Sequence, residues 1–348
     1  MCSNCEEIVK TWENSDESVD FVEKVEIDIN NNYNRNKSFM RRSMALLKIN
    51  FNDPLMKALK AVNSIAGKSL TEEDLKRQRA GMEMAGRLAA PTSDVSVEAF
   101  TVGDVHCEWI KPDFAHNPQY VILYAHGGGY TCGGLAYARI LAAKLAVATG
   151  FSVVSFEYRL APEHKYPAAL DDGFHIWNYL MDRGYGARQV LFAGDSAGGN
   201  LVLCLTMKLI KEKQLKPRCL ILLSPWTDMT ASSDSYETYK EKDPILTKEY
   251  VLGVRDAYIG TEAAPENEIY SPLNGDFNGF PPTVIMVGRN EILLDDSVRL
   301  QKKINKAGGK AVIDIERDGW HVYQQMPLPV AGRAMKRLAE YVSAIIYT

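Results

Sequence analysis

The chain lacks the features that would place it in a membrane or on a nucleic acid. No apolar run approaches the length that spans a bilayer. Residues 1–10 carry no apolar core of the signal-peptide kind. Together these absences set the expectation of a soluble cytoplasmic protein with no membrane span. No basic block is long enough for nucleic acid, and 40 Lys and Arg against 44 Asp and Glu leave a net charge of −4. Cysteine is scarce, with six in 348 residues. Cys107, Cys132, Cys204 and Cys219 stand singly in apolar or strand-like settings, as small buried residues do. Cys2-x-x-Cys5 has no second Cys or His pair with ligand spacing, so no metal site is expected. Internal repeats are absent too. What remains is a chain that is 46% hydrophobic, enough for a sizeable core in one large domain or a domain with a cap.

That chain is organised around Val190-Leu191-Phe192-Ala193-Gly194-Asp195-Ser196-Ala197-Gly198-Gly199-Asn200. Four apolar residues read as a short buried strand, and Leu201, Val202, Leu205 and Leu209 continue as a helical stripe. Between them lies Gly-x-Ser-x-Gly, the pattern of a nucleophile elbow. The turn is so tight that side chains two before and two after the serine would clash, which calls for Gly194 and Gly198. Ser196 is then held out in a strained conformation, with neighbouring amides pointing the same way.

The regions before residue 95 are helical or polar. Residues 1–36 are polar and acidic and read as a loosely packed extension. Residues 37–47 form a basic amphipathic segment, expected to lie on the protein's own apolar surface, with a membrane surface as the alternative. Asp53-Pro54 opens a helix that Gly67 ends, and Thr71 caps a second helix that stops before Pro91. These two are either ordinary packing helices or, over residues 37–92, an N-terminal cap. From residue 93 to 348 strands and helices alternate. Strands are expected at 97–102 and 105–110, joined by Gly103-Asp104, then at 120–124, 151–156, 190–193, 219–223, 283–287 and 311–315. The alternation predicts a largely parallel sheet with helices on both faces, and a site at the carboxyl ends of the strands. Residues 228–268 break the pattern and read as an excursion that joins the cap, with a helix capped by Thr247. The strand at 311–315 reads as a sheet edge, where a second copy would pair in a homodimer.

A serine hydroxyl needs a base to take its proton and an acid to orient that base. Of six histidines only His321 follows Ser196, after the last expected strand. A hydrolase with this elbow runs Ser, acid, His in chain order, so His321 is the expected base. Glu291, Asp295 and Asp296 compete for the acid position after strand 283–287. Glu291 lies in the loop proper and is the expected acid, with Asp295 second; one of the two aspartates is expected to cap the next helix. An oxyanion needs preorganised donors. His126-Gly127-Gly128-Gly129 follows a strand, and its glycines let the backbone aim its amides inward. Gly128, Gly129 and Ala197 are the expected donors, supported by His126, Gly127 and Asp195. Tyr130, Trp226, Tyr250 and Tyr258, with Phe51, Leu55 and Met56, read either as walls of an acyl pocket or as core.

These residues together resemble the hormone-sensitive-lipase-like branch of the α/β-hydrolases, the HGGG esterases. The matching text includes His126-Gly127-Gly128-Gly129, Gly194-Asp195-Ser196-Ala197-Gly198-Gly199, Tyr158-Arg159-Leu160-Ala161-Pro162-Glu163-His164, Tyr166-Pro167-Ala168-Ala169-Leu170-Asp171-Asp172, Ser271-Pro272-Leu273 and Pro281-Pro282. It spans residues 52–345. The resemblance implies an eight-stranded sheet, a helical cap, and hydrolysis of small-molecule carboxylic esters, short-chain acyl esters above all, without cofactor. Tyr158 to His164 would be scaffold behind the nucleophile. Two departures stand out. Glu291-Ile292-Leu293 replaces the family's aspartate-proline-leucine, and Val322 and Tyr323 follow His321 where the family often places phenylalanine. Two rival readings use the same residues: an amidase, deacetylase or peptidase, and a small-molecule binding protein of hydrolase shape.

Overall fold

Eight strands are joined edge to edge in the order β1-β2-β4-β3-β5-β6-β7-β8. The computed structural model describes residues 70–89, 94–114 and 116–347. The expected polar extension, the amphipathic segment, the first cap helix, the Cys2/Cys5 pair and Phe51, Leu55 and Met56 lie outside the described residues. Chain order runs α1 Glu72–Ala89, β1 Val95–Val102, β2 Val105–Pro112, β3 Val121–Ala125, α2 Leu135–Thr149, β4 Ser152–Phe156, α3 Ala168–Asp182, β5 Val190–Asp195, α4 Ala197–Lys213 and β6 Leu220–Leu223. It continues with α5 Ser235–Thr238, α6 Lys248–Ile259, β7 Thr283–Gly288, α7 Leu294–Lys306, β8 Ala311–Glu316 and α8 Pro329–Ile346. β1, β2 and β4 pair antiparallel, and every ladder from β4 to β8 is parallel. The expected strand bounds fall within two residues of the observed ones.

Continuous apolar runs make the inner strands because both faces of the sheet are covered. Every residue of β3, β4, β5, β6 and β7 is buried. The period of two then divides side chains between two cores. Val121 and Leu123 pack with α3, α4 and α7 on one face, while Ile122 and Tyr124 pack with α2 and α8 on the other. β8 closes one edge, with Arg337 of α8 donating to its Asp314 and Glu316.

α1 begins as expected, with the Thr71 hydroxyl accepting from the Asp74 amide at 3.3 Å. Gly86 brings it against the α2 backbone, where a Cβ would overlap Ala136. Arg79 ties the helix to two loops. Its Nε donates to the Thr131 carbonyl at 2.8 Å, and its Nη atoms donate to the Ala161 carbonyl and to both Glu163 carboxylate oxygens. The helix expected within the excursion between β6 and β7 is α6, which the Thr247 hydroxyl caps by accepting from the Tyr250 amide at 3.1 Å.

The turn from β5 to α4 is the tightest junction in the sheet. A Cβ on Gly194 would overlap the Gly198 backbone, and one on Gly198 would overlap the carbonyl of Ala125 at the end of β3. The second clash is between two different elements, so no side-chain rotation relieves it. Gly198→Ala is therefore expected to cost about 3 kcal/mol or more. A urea midpoint moved down at unchanged slope would read it; a wild-type midpoint would show that α4 and β3 can part.

Candidate active site

Ser196 sits at the N-terminus of α4 with φ 53 and ψ −119, in the region that side-chain-bearing residues avoid. Its amide donates to the Leu223 carbonyl, and its carbonyl accepts from the amides of Asn200 and Trp226. Such a conformation costs about 1–3 kcal/mol and persists only when its surroundings enforce it. The result is an Oγ fixed at the C-terminal end of β5.

His321 follows β8 and reaches across the sheet ends. Its Nε2 lies 3.0 Å from Ser196 Oγ and its Nδ1 2.8 Å from Glu291 Oε2. A carboxylate accepts only, so Nδ1 carries the proton and Nε2 presents its lone pair to the serine hydroxyl. Burial alone would lower the imidazole pKa. The hydrogen bond and charge of Glu291, with the charges of Asp243 and Asp195, outweigh burial and raise it. Glu291 is fully buried, in the loop after β7. Its Oε1 accepts from the Gly288 amide at 2.6 Å and from Ser224 Oγ at 2.8 Å. Ser224 Oγ in turn accepts from the Val322 amide at 3.1 Å, which ties the residue after His321 to the same carboxylate. Both Ser224 and Val322 have positive φ, 47 and 49.

Asp295 and Asp296 stand apart from His321. Asp295 accepts from the Ser235 amide at 2.9 Å. Asp296 accepts from the amides of Thr227 and Asp228 at 2.7 and 3.0 Å, and burial pushes its carboxyl up to about 7. Both lie in the first turn of α7 yet neither caps that helix, whose Asp295 amide donates to Ser235 Oγ at 3.2 Å. This corrects the capping expectation: the two carboxylates satisfy amides of the excursion, where unpaired donors would otherwise be buried.

The glycine loop follows β3. Gly128 and Gly129 have φ 111 and 62, and Val254 of α6 packs where a Cβ on Gly129 would sit. The Gly127 amide donates to Asp195 Oδ1 at 2.9 Å, so it is already occupied. Asp195 Oδ1 also accepts from the Tyr124 hydroxyl at 2.5 Å; burial pushes this carboxyl up to about 6. His126 donates from Nδ1 to the Gly127 carbonyl at 2.7 Å and stacks on Tyr158, whose hydroxyl donates to the His126 carbonyl. Burial lowers the His126 pKa to about 4, so the ring is neutral. The expected supporting residues thus form one hydrogen-bonded unit behind the loop.

The four candidate pocket aromatics divide. Tyr130 and Tyr258 are buried and stacked, ring centroids 3.7 Å apart, with the Tyr130 hydroxyl donating to Asn200 Oδ1. Trp226 is buried and donates its indole N–H to the Asp228 carbonyl at 3.2 Å. Tyr250 is half-buried in the first turn of α6. Three of the four are therefore core members beside the site. Among the described residues no group of His, Cys, Asp and Glu could hold a metal ion, and no helix is long and apolar enough to cross a membrane.

Several residues here carry no signal in the reading above. Ser224 follows β6, one more strand end of the kind that supplies site residues, and Asp243 precedes a proline in a turn dipeptide. Lys144 of α2 donates from Nζ to the carbonyls of Gln324, Gln325 and Met326 at 2.7, 2.8 and 2.9 Å, anchoring the turn after His321.

A fold of this topology with a strained serine, a histidine and a buried carboxylate at its strand ends defines a class of hydrolase. Residues 122–325 match the family described as alpha/beta hydrolase fold. An esterase of Acinetobacter venetianus is 33% identical over 74% of this chain and 86% of its own length. An acetyl-hydrolase of Streptomyces hygroscopicus is 32% identical over 73% of this chain and 83% of its own. The crystal structure of an esterase from the bacterial hormone-sensitive lipase family superposes with a TM-score of 0.78 at 31% identity, covering 84% of this chain and 99% of that one. The chain belongs to the α/β-hydrolase family, in its hormone-sensitive-lipase-like carboxylesterase branch.

Ser224→Ala removes a donor to Glu291 and the acceptor of the Val322 amide, both buried. A stability loss of about 1–3 kcal/mol is expected, read by urea unfolding; an unchanged midpoint would mean that water replaces the hydroxyl without cost.

Proposed function

We propose that the protein is a serine carboxylesterase that hydrolyses short-chain acyl esters through Ser196, His321 and Glu291. The observation that carries this reading is the unbroken line from Ser196 Oγ through both ring nitrogens of His321 to a buried Glu291. His321 Nε2 takes the hydroxyl proton as Ser196 Oγ attacks the acyl carbonyl carbon. The amides of Gly128, Gly129 and Ala197 stabilise the oxyanion, each worth about 3–4 kcal/mol in sites of this kind. Protonated His321 gives its proton to the departing alcohol oxygen. Water then attacks the acyl-enzyme with His321 again as base, releasing the acid. No step calls for a cofactor. The short-chain preference draws support from the acetyl-hydrolase relative. It also draws support from the aromatics beside the site, three of which fill core space rather than line an acyl channel.

Hydrolysis of p-nitrophenyl esters from acetate to dodecanoate tests both parts. Rates are expected to peak between acetate and hexanoate. Ser196→Ala is expected to lower kcat by about 10⁶ and Glu291→Gln by about 10³–10⁴. A maximum at dodecanoate would overturn the chain-length assignment, and full activity in Ser196→Ala would overturn the mechanism.

The pH dependence follows from His321, which must be neutral to accept the serine proton. Its carboxylate neighbours raise its pKa above the usual imidazole value. The acid limb of kcat/KM is therefore expected to have its midpoint above about 6.5. A midpoint well below that value in a pH–rate profile would contradict the charge balance described.

A further inference from the structure

The excursion between β6 and β7 returns one carboxylate to the acid loop. Asp243 is buried, 6% exposed. Its Oδ1 accepts from the amides of Ile245 and Leu246 at 2.8 and 2.9 Å, a local turn of the kind aspartate makes before proline. That turn needs one oxygen only. The second, Oδ2, accepts from the Ile292 amide at 2.9 Å, 49 residues away. Ile292 is the residue after Glu291 and is itself fully buried. A buried carboxylate must be compensated by hydrogen bonds and charge. Here three amides supply part of that compensation; burial, with the like charge of Glu291, pushes the carboxyl up to about 6, against the opposing charge of His321. Asp243 thus carries its charge at neutral pH. Three carboxylates act on His321 from three elements: Glu291 from the loop after β7, Asp243 from the excursion and Asp195 from β5.

We propose that Asp243 is a positioning residue for the triad: Oδ2 holds the Ile292 amide, and with it the Glu291 carboxylate, while its negative charge stabilises the His321 imidazolium formed in each half-reaction. The proposal rests on the triad reading above. It assigns the excursion a part in the chemistry as well as in packing on the glycine loop. It also accounts for the second carboxylate oxygen, which the local turn leaves unused. Charge and geometry act in the same direction. A negative group beside the imidazole favours the state in which His321 holds the serine proton. A fixed Ile292 amide prevents the one-methylene-longer glutamate from swinging off Nδ1.

Asp243→Asn tests both effects in the full-length protein. It keeps the volume but removes the charge, and it sets an N–H donor against an amide donor on one side or the other. The assay is p-nitrophenyl butyrate hydrolysis across pH, with active serine counted by stoichiometric reaction with an organophosphate. Per active serine, kcat is expected to fall between about 10- and 100-fold with KM within about twofold. The acid limb of kcat/KM is expected to move to lower pH, because a lost negative charge lowers the His321 pKa. Activity lost only in proportion to active serine, with the limb unmoved, would overturn the proposal. Should the asparagine variant not fold, Asp243→Glu keeps the charge and misplaces the oxygens: kcat is expected to fall with the limb in place, and a wild-type kcat would overturn the proposal. Ser196→Ala and Glu291→Gln run beside them separate the two ideas. Full activity in Ser196→Ala sinks the triad reading itself, whereas inactive triad variants beside a wild-type-like Asp243→Asn sink only the role of Asp243.

Discussion

The site depends on one steric constraint, the absence of room at the β5–α4 turn. β3 and α4 approach so closely at Gly198 that a single carbon would not fit, and Gly194 meets the same turn from its other side. Backbone this close can turn from strand to helix only through the positive-φ conformation of Ser196. The strain in that residue is held by three backbone hydrogen bonds, to Leu223, Asn200 and Trp226, from three elements. Everything the proposed mechanism asks of Ser196 follows from this packing. Its Oγ is outside the turn, the Ala197 amide opens α4, and the helix N-terminus adds its partial positive charge.

At and behind the site the protein buries four carboxylates. Glu291, Asp195, Asp243 and Asp296 are each at most 6% exposed. Among the described residues none is in an ion pair with Lys or Arg; apart from the bond from His321 to Glu291, the hydrogen bonds they accept come from backbone amides and hydroxyls, and Asp195 Oδ2 and Asp296 Oδ1 accept none. An amide is fixed by the chain, so this arrangement orders loops where a lysine partner would only neutralise. Asp195 binds the glycine loop to the elbow, Asp243 and Asp296 bind the excursion to the acid loop and α7, and Glu291 joins strand ends to His321. Three of the four, Glu291, Asp243 and Asp195, favour the imidazolium that the proposed reaction creates, which is why the His321 pKa is raised despite its burial.

The legible part of this protein was the part written in local pattern. Continuous apolar runs marked the inner strands because those strands are covered on both faces, and Gly103-Asp104, Thr71 and Thr247 marked the turn and caps through their own chemistry. The glycine loop and the elbow were legible because a sharp turn and close backbone approach leave few residue choices, and His321 because it is the one histidine after Ser196 in the sequence. The acid was narrowed to three carboxylates by strand order alone. Choosing among them took the loop length between strand and helix, and the two aspartates turned out to serve amides of the excursion. Tyr130, Trp226 and Tyr258 read equally as wall or core from their chemistry, and their stacking and burial place them in the core.

The amino-acid sequence by itself determined the alternation of strand and helix, the turn that exposes Ser196 and the chain order of the site residues. Each of these depends on residues close together along the chain, or on the limits of glycine and proline. The tertiary structure brought the expected Glu291 to His321, and it alone decided that Ser224 donates to that carboxylate and what Arg79, Lys144 and Asp243 are for. These depend on hydrogen bonds that span from 30 to more than 180 residues. A donor and an acceptor that far apart leave no periodicity or spacing in the chain. They meet only because parallel strands place their carboxyl ends side by side, and the order of those strands in the sheet is not their order in the sequence.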